Sequence, residues 1–137
     1  MNRLFAVSDI HGCFVTFQEL IVKVLDLKRT DQLVLLGDYI DRGGQSKEVI
    51  DFIIDLTEKG FNIVTLRGNH EQMLLDAYYD QEELSLWFLN SGETTLMSFG
   101  INDIRDIGKN IWIFSQEQVF ITGSGIIYLF MPDSMIC

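Results

Sequence analysis

Leu33-Val34-Leu35-Leu36-Gly37-Asp38-Tyr39-Ile40-Asp41-Arg42-Gly43 is an apolar run that turns polar at a glycine. Its first four residues read as a strand, and Gly37 lets the chain leave that strand sharply and present the Asp38 carboxylate. The same change of character occurs twice more. Leu4-Phe5-Ala6-Val7 leads into Asp9-Ile10-His11-Gly12, and Phe61-Asn62-Ile63-Val64-Thr65-Leu66 leads into Arg67-Gly68-Asn69-His70-Glu71. Laid side by side in parallel, the three strands gather Asp9, His11, Asp38, Asn69 and His70 around the crevice where open α/β sheets bind ligands. Oxygen and imidazole groups converging on one carboxylate suit a two-metal centre for hydrolysing phosphate esters.

Between the strands the apolar spacing changes to that of helices. Phe17, Leu20, Ile21, Val24 and Leu25 fall on one helical face. A second helix is expected from Ser46 as N-cap, with Val49, Phe52, Ile53 and Leu56 buried and Gly60 just past its end. Strand, helix, strand, helix, strand is a βαβαβ unit, which predicts a parallel sheet with right-handed crossovers. A third helix is expected over 70–79, with Met73, Leu74, Ala77 and Tyr78 inward. A short fourth follows around Leu84, Trp87 and Phe88, whose apolar side chains read as core.

With 137 residues, 47% of them hydrophobic, the chain suffices for one domain with a real core. A net charge of -10 argues against a nucleic-acid partner. No apolar run reaches the roughly 18 residues that span a bilayer, and Met1-Asn2-Arg3 carries no signal-peptide pattern. Cys13 and Cys137 form neither a disulfide framework nor a zinc spacing, so a cytoplasmic protein without nucleic-acid or membrane partners is expected. Taken singly, the motifs have plainer readings: Asp41–Arg42 as a surface pair, and Asn69 as a helix N-cap. Their recurrence at three strand ends is what favours a site.

Together these motifs resemble the calcineurin-like metallophosphoesterases, and within them the bacterial and phage serine/threonine protein phosphatases of the PPP type. The resemblance runs from about Leu4 to Phe99 and includes Asn90-Ser91-Gly92-Glu93-Thr94-Thr95, similar to an Asn-Gly-Gly segment of the phage enzymes. It implies an α/β fold, the N-terminal half of the α/β/β/α metallophosphoesterase sandwich, with the second sheet absent or incomplete. It further implies that Asp9 and His11 bind a first divalent ion, Asp38 bridges two, and Asn69 binds the second, with Mn²⁺ and/or Fe²⁺ as the ions. Water activated by both would attack phosphorus. His70 would protonate the leaving oxygen, oriented by Asp41, while Arg42 and Asn69 engage the phosphate. Cys13 would be inert packing. The implied substrate is a phosphoprotein. The bis(5'-nucleosyl)-tetraphosphatases are close relatives, and a non-catalytic remnant is the reading from outside the enzymes.

The family pattern calls for two more histidine ligands, one in a strand ending His-Ala-Gly and one in a Gly-His pair, whereas His11 and His70 are the chain's two histidines. Residues 111–137 contain no Lys or Arg and show no clean period. Ile127 to Asp133 can be encoded ATA TAT TTG TTC ATG CCG GAT. Read one base earlier, after a T, this becomes Tyr-Ile-Phe-Val-His-Ala-Gly. The expectation is that residues 1–110 are the N-terminal part of a catalytic domain and that 111–137 are an aberrant tail, out of frame after a lost base near codon 110.

Overall fold

The computed structural model describes residues 2–109, together with the backbone of 118–122 and 125–129. β1 (Leu4–Val7), β2 (Gln32–Leu35) and β3 (Asn62–Thr65) form a parallel sheet in sequential order. Val7 lies beside Leu35 and Leu35 beside Thr65, so all three strands stop at one level and their loops leave together. This register is what brings the polar segments to a common edge.

α1 (Phe14–Glu19) and α2 (Ser46–Glu58) connect the strands. The first helix widens after α1 into a π-helical turn over Leu20–Val24, where Leu25 N–H reaches back five residues to Leu20 O at 2.8 Å. The run Ile21-Val22-Lys23-Val24 has β-branched side chains that crowd a tight α-turn, a local reason for the wider one. α2 buries Val49, Ile50, Ile53 and Leu56, and Phe52 makes edge contacts with Phe14 and Phe17 at 5.8 and 5.7 Å. Ser46 is not its cap. Gln45 holds that position without a side-chain bond, and the Ser46 hydroxyl is drawn into the buried network described below. Gly60 ends the helix as expected: at φ 82° its N–H meets Thr57 O, while Phe61 N–H meets Leu56 O at 3.1 Å.

These helices pack on one sheet face, where Leu33 and Leu35 are wholly buried with Phe5, Val7 and Ile63 around them. Each such aliphatic side chain contributes about 1.5–3 kcal/mol relative to exposure. The opposite face holds a small cluster of Val34, Val64 and Leu66, with Leu4 68% exposed. α3 (Asn69–Tyr79), α4 (Leu84–Leu89) and α5 (Gly92–Phe99) follow β3. α3 packs on α4, and α5 on both α2 and α4. α5 has no counterpart among the helices expected from the sequence, the last of which lies before Asn90-Ser91-Gly92. Ser91 turns the chain at φ 71°, and Gly92 opens the new helix directly against the Trp87 indole.

β4 (Gln118–Thr122) and β5 (Gly125–Leu129) pair as an antiparallel hairpin. Val119-Phe120-Ile121 and Ile126-Ile127-Tyr128 supply the β-branched and aromatic residues that favour strands despite the absence of a clean alternation. The rest of the tail expected to be aberrant lies outside the described residues. Among the described residues no helix is long and apolar enough to cross a membrane.

Candidate metal centre

Two of the three loops are held in a backbone conformation that L-residues seldom adopt. Asp9 (φ 56°), His11 (φ 45°), Asp38 (φ 56°), Asp41 (φ 69°) and Arg42 (φ 66°) all lie at positive φ. Such strain persists only where surrounding bonds over-determine it. Here they do: His11 N–H donates to Asp38 O at 2.9 Å, Gly12 N–H to Tyr39 O at 2.8 Å, and Gly43 N–H to His11 O at 2.9 Å. The third loop abuts the second at Gly68, where a Cβ would lie 2.3 Å from both Asp38 N and Asp38 Oδ1. Only glycine permits that approach.

The side chains expected to bind metal are brought together. Ligand atoms of Asp9, His11 and Asp38 lie within 4.8 Å of one another, a group that could hold a metal ion. His11 Nδ1 is 2.9 Å from Ile40 O and so carries the proton, leaving the Nε2 lone pair directed at the site, 3.8 Å from Asp9 Oδ1. The Asn69 carboxamide faces both Asp38 carboxylate oxygens at 3.1 and 3.2 Å. With its oxygen toward them it makes an acceptor–acceptor pair, which suits two oxygen ligands of one cation. With its nitrogen toward them it would instead donate to the carboxylate. Oxygen, oxygen, imidazole and carboxamide donors on one edge therefore fit divalent metal ions. Asn69 is the first residue of α3, with Gly68 in the cap position, so the N-cap reading of Asn69 gives way.

Beside this group stands a buried His–Asp pair. His70 Nδ1 is 2.7 Å from Asp41 Oδ2, and its backbone N–H donates to Asp38 Oδ1 at 3.1 Å. The His70 and His11 rings meet edge to face at 4.6 Å. Arg42 is exposed, with Nη2 3.5 Å from His70 Nε2. Asp41 is wholly buried, so it is not half of a surface pair with Arg42. Burial pushes its carboxyl up, opposed by hydrogen bonds from Thr95, His70 and Trp87. Cys13, expected to be packed, is exposed, its Sγ 3.6 Å from His11 O.

Several contributors were missed in the sequence. Trp87, read simply as core, also donates its indole N–H to Asp41 Oδ2 at 2.9 Å. Thr95 donates its hydroxyl to Asp41 Oδ1 at 2.6 Å and accepts Asp41 N–H at 2.9 Å, with Ser46 Oγ 3.2 Å from that same nitrogen. Glu71, until now a motif letter, is a strut. Its Oε2 accepts from Asp38 N at 2.8 Å and Gly68 N at 2.9 Å, and its Oε1 accepts from Tyr39 N at 2.8 Å. Burial raises the Glu71 carboxyl, and these three N–H donors oppose the rise. Tyr39, whose phenol burial holds well up, lies with its hydroxyl 2.6 Å from Leu66 O and 3.0 Å from Leu35 O. The only local hint of the Glu71 strut was its place three residues after Gly68, where a glutamate can reach back to a helix-start N–H.

Three loops at one sheet edge, a carboxylate shared between them and a buried His–Asp pair match a known family. The family model described as calcineurin-like phosphoesterase matches residues 3–133, and the chain belongs to that family. Its relatives divide between two activities. It is 38% identical over 92 residues to serine/threonine-protein phosphatase 1 of Salmonella typhimurium, covering 67% of this chain and 40% of that protein. To the symmetrical bis(5'-nucleosyl)-tetraphosphatase of Buchnera aphidicola it is 39% identical over 116 residues, covering 85% and 38%. To the protein of that same name from Nitrosococcus oceani it is 40% identical over 72 residues, covering 53% and 25%. The chain thus spans between a quarter and two-fifths of these relatives' lengths. The crystal structure of a cold-active protein-tyrosine phosphatase from a psychrophilic Shewanella shares its fold, with TM-score 0.56 and 24% identity over 86% of this chain and 40% of that one.

Proposed function

We propose that this chain carries the metal-binding and acid half of a metal-dependent phosphoester hydrolase acting on phosphoserine or phosphothreonine in proteins. The observation that carries the reading is the His70–Asp41 pair, 2.7 Å apart and buried, standing next to the Asp9, His11 and Asp38 group. Two divalent ions, Mn²⁺ and/or Fe²⁺, held by Asp9, His11, Asp38 and Asn69, would supply activation of water near neutral pH and positive charge against the phosphate. Asp41 fixes the ring of His70 through Nδ1, which leaves Nε2 as the atom that would hand a proton to the departing oxygen. Arg42, whose Nη2 lies beside that nitrogen, offers a planar fork to the phosphate oxygens. A serine alkoxide leaves poorly without a proton, which supports the phosphoprotein reading over cleavage of a dinucleoside tetraphosphate, whose departing phosphate needs one less. The long match to the Buchnera relative favours that second reading.

The two are separated by giving the Mn²⁺-loaded protein a phosphoserine peptide and a dinucleoside tetraphosphate. Preference for the peptide is expected, and preference for the nucleotide would reverse the assignment. Absence of turnover together with less than one bound ion per chain would leave the remnant reading. We further propose that residues 111–137 are read out of frame. Resequencing through codon 110 should recover a base, after which the longer product should bind Mn²⁺ more tightly than the 137-residue chain. An unchanged sequence there would end that proposal.

A further inference from the structure

We propose that Trp87 on α4 and Thr95 on α5 are positioning residues for the acid, holding Asp41 in the orientation in which it fixes the His70 ring. The inference rests on the acid role given to His70 above. Its geometric basis is a closed polar network. Asp41 Oδ2 is shared by His70 Nδ1 at 2.7 Å and Trp87 Nε1 at 2.9 Å, and Asp41 Oδ1 takes the Thr95 hydroxyl at 2.6 Å. Thr95 also accepts the Asp41 N–H at 2.9 Å, so one hydroxyl secures both the carboxylate and the strained backbone that carries it. Asp41, Trp87 and Thr95 are 0% exposed and His70 is 1% exposed. Water has no route to replace a lost donor there, and a partly satisfied buried network costs more than an intact one.

A core role alone would ask only for volume at these two places, and Phe and Val would meet it. Instead the polar atoms of both side chains converge on a single carboxylate. The helical hairpin is shaped to allow this. Gly92 lies against the indole, where a Cβ would come within 2.3 Å of the ring, so the start of α5 presses Trp87 toward Asp41. A carboxylate held at three points leaves the imidazole one tautomer and one plane. Orientation of this kind is worth about 10- to 100-fold when an outer partner of a functional group is removed.

The test compares Trp87→Phe, Thr95→Val and Thr95→Ser in the Mn²⁺-loaded full chain. For Trp87→Phe and Thr95→Val, kcat on a phosphoserine peptide should fall about 10- to 100-fold, with KM and bound Mn²⁺ unchanged. Turnover of p-nitrophenyl phosphate, whose leaving group hardly needs a proton, should change little. Thr95→Ser, which keeps the hydroxyl, should behave as wild type. An independent readout comes from isotope-labelled histidine, since the chain contributes just two imidazoles. The His70 Nδ1–H proton should appear far downfield and exchange slowly, and both disabling variants should shift it and speed its exchange. Equal losses on the two substrates, or an unmoved proton signal, would overturn the proposal. If the wild type cleaves neither substrate, the proposed function fails while the proton signal still decides the clamp. If Trp87→Phe does not fold, the Thr95 pair decides it.

Discussion

Replacing Glu71 by Gln changes one atom, yet it sets a donor against a donor. Three backbone N–H groups, from Asp38, Tyr39 and Gly68, end on the two Glu71 oxygens at 2.8–2.9 Å. A glutamine can turn its oxygen to the Asp38 and Gly68 pair, but its nitrogen then faces Tyr39 N–H. That buried N–H is orphaned at about 1–3 kcal/mol, and the other two bonds lose the advantage of a charged acceptor, about 1 kcal/mol each. Relief of the carboxylate's burial, which already pushes Glu71 up, offsets part of this. The net expectation is a loss of about 2–3 kcal/mol, a large share of a domain's usual 5–15 kcal/mol. In urea, with a slope of about 1–3 kcal/mol per molar, the midpoint should drop by about 1–2 M. The loops carrying Asp38 and Asn69 would also part, so Mn²⁺ affinity measured by calorimetry should fall about 10- to 100-fold. A midpoint within about 0.3 M of wild type, with unaltered Mn²⁺ affinity, would refute the strut.

Asp38→Asn should lower Mn²⁺ content, read by mass spectrometry, and abolish p-nitrophenyl phosphate hydrolysis; near-normal activity would remove the bridging role. His70→Asn should keep bound metal while reducing kcat on phosphoserine about 10²- to 10⁴-fold, and metal loss would argue against an acid. Gly92→Ala forces a methyl into the Trp87 ring and should cost about 1–3 kcal/mol in thermal or urea unfolding, a neutral result showing that the indole can retreat freely. Arg3 holds the Asp31 carboxyl below the usual range, and Arg105 holds Asp103 down at about 2. Folded values below the unfolded ones mean stability that is present above about pH 4 and lost as pH falls toward 2. Asp31→Asn should accordingly flatten the acid limb followed by circular dichroism, and an unchanged limb would count against the Arg3 tie.

The parts of the molecule legible in the sequence are those set by neighbours along the chain. Strands ending at Val7, Leu35 and Thr65 announce themselves by apolar runs that break at polar residues, and α2 by its spacing and its terminal Gly60. The meeting of Asp9, His11, Asp38, Asn69 and His70 follows from parallel strands alone. What escaped depends on contacts far apart in sequence. Thr95 reaches Asp41 across 54 residues and Trp87 across 46, and no local period encodes either. Trp87 in particular has the signature of core, and it is core. Its single polar atom carries a second role that hydropathy does not register. Ser46 misled for a related reason: at a helix start its hydroxyl had two suitors, and the distant one won.

The left-handed backbone at Asp9, His11, Asp38, Asp41 and Arg42 has a bearing on how mutants of this protein are read. Asparagine, aspartate and histidine tolerate that region better than most residues, while alanine there carries about 1–2 kcal/mol of its own. An alanine scan would therefore report two losses as one, a missing functional group and a loop relaxing out of shape. Substitution to asparagine isolates the chemistry at the aspartates. Substitution to glycine, which accepts the conformation freely, isolates the side chain from the bend. The difference between the alanine and glycine mutants at one position then becomes a direct gauge of how much conformational tension these loops store.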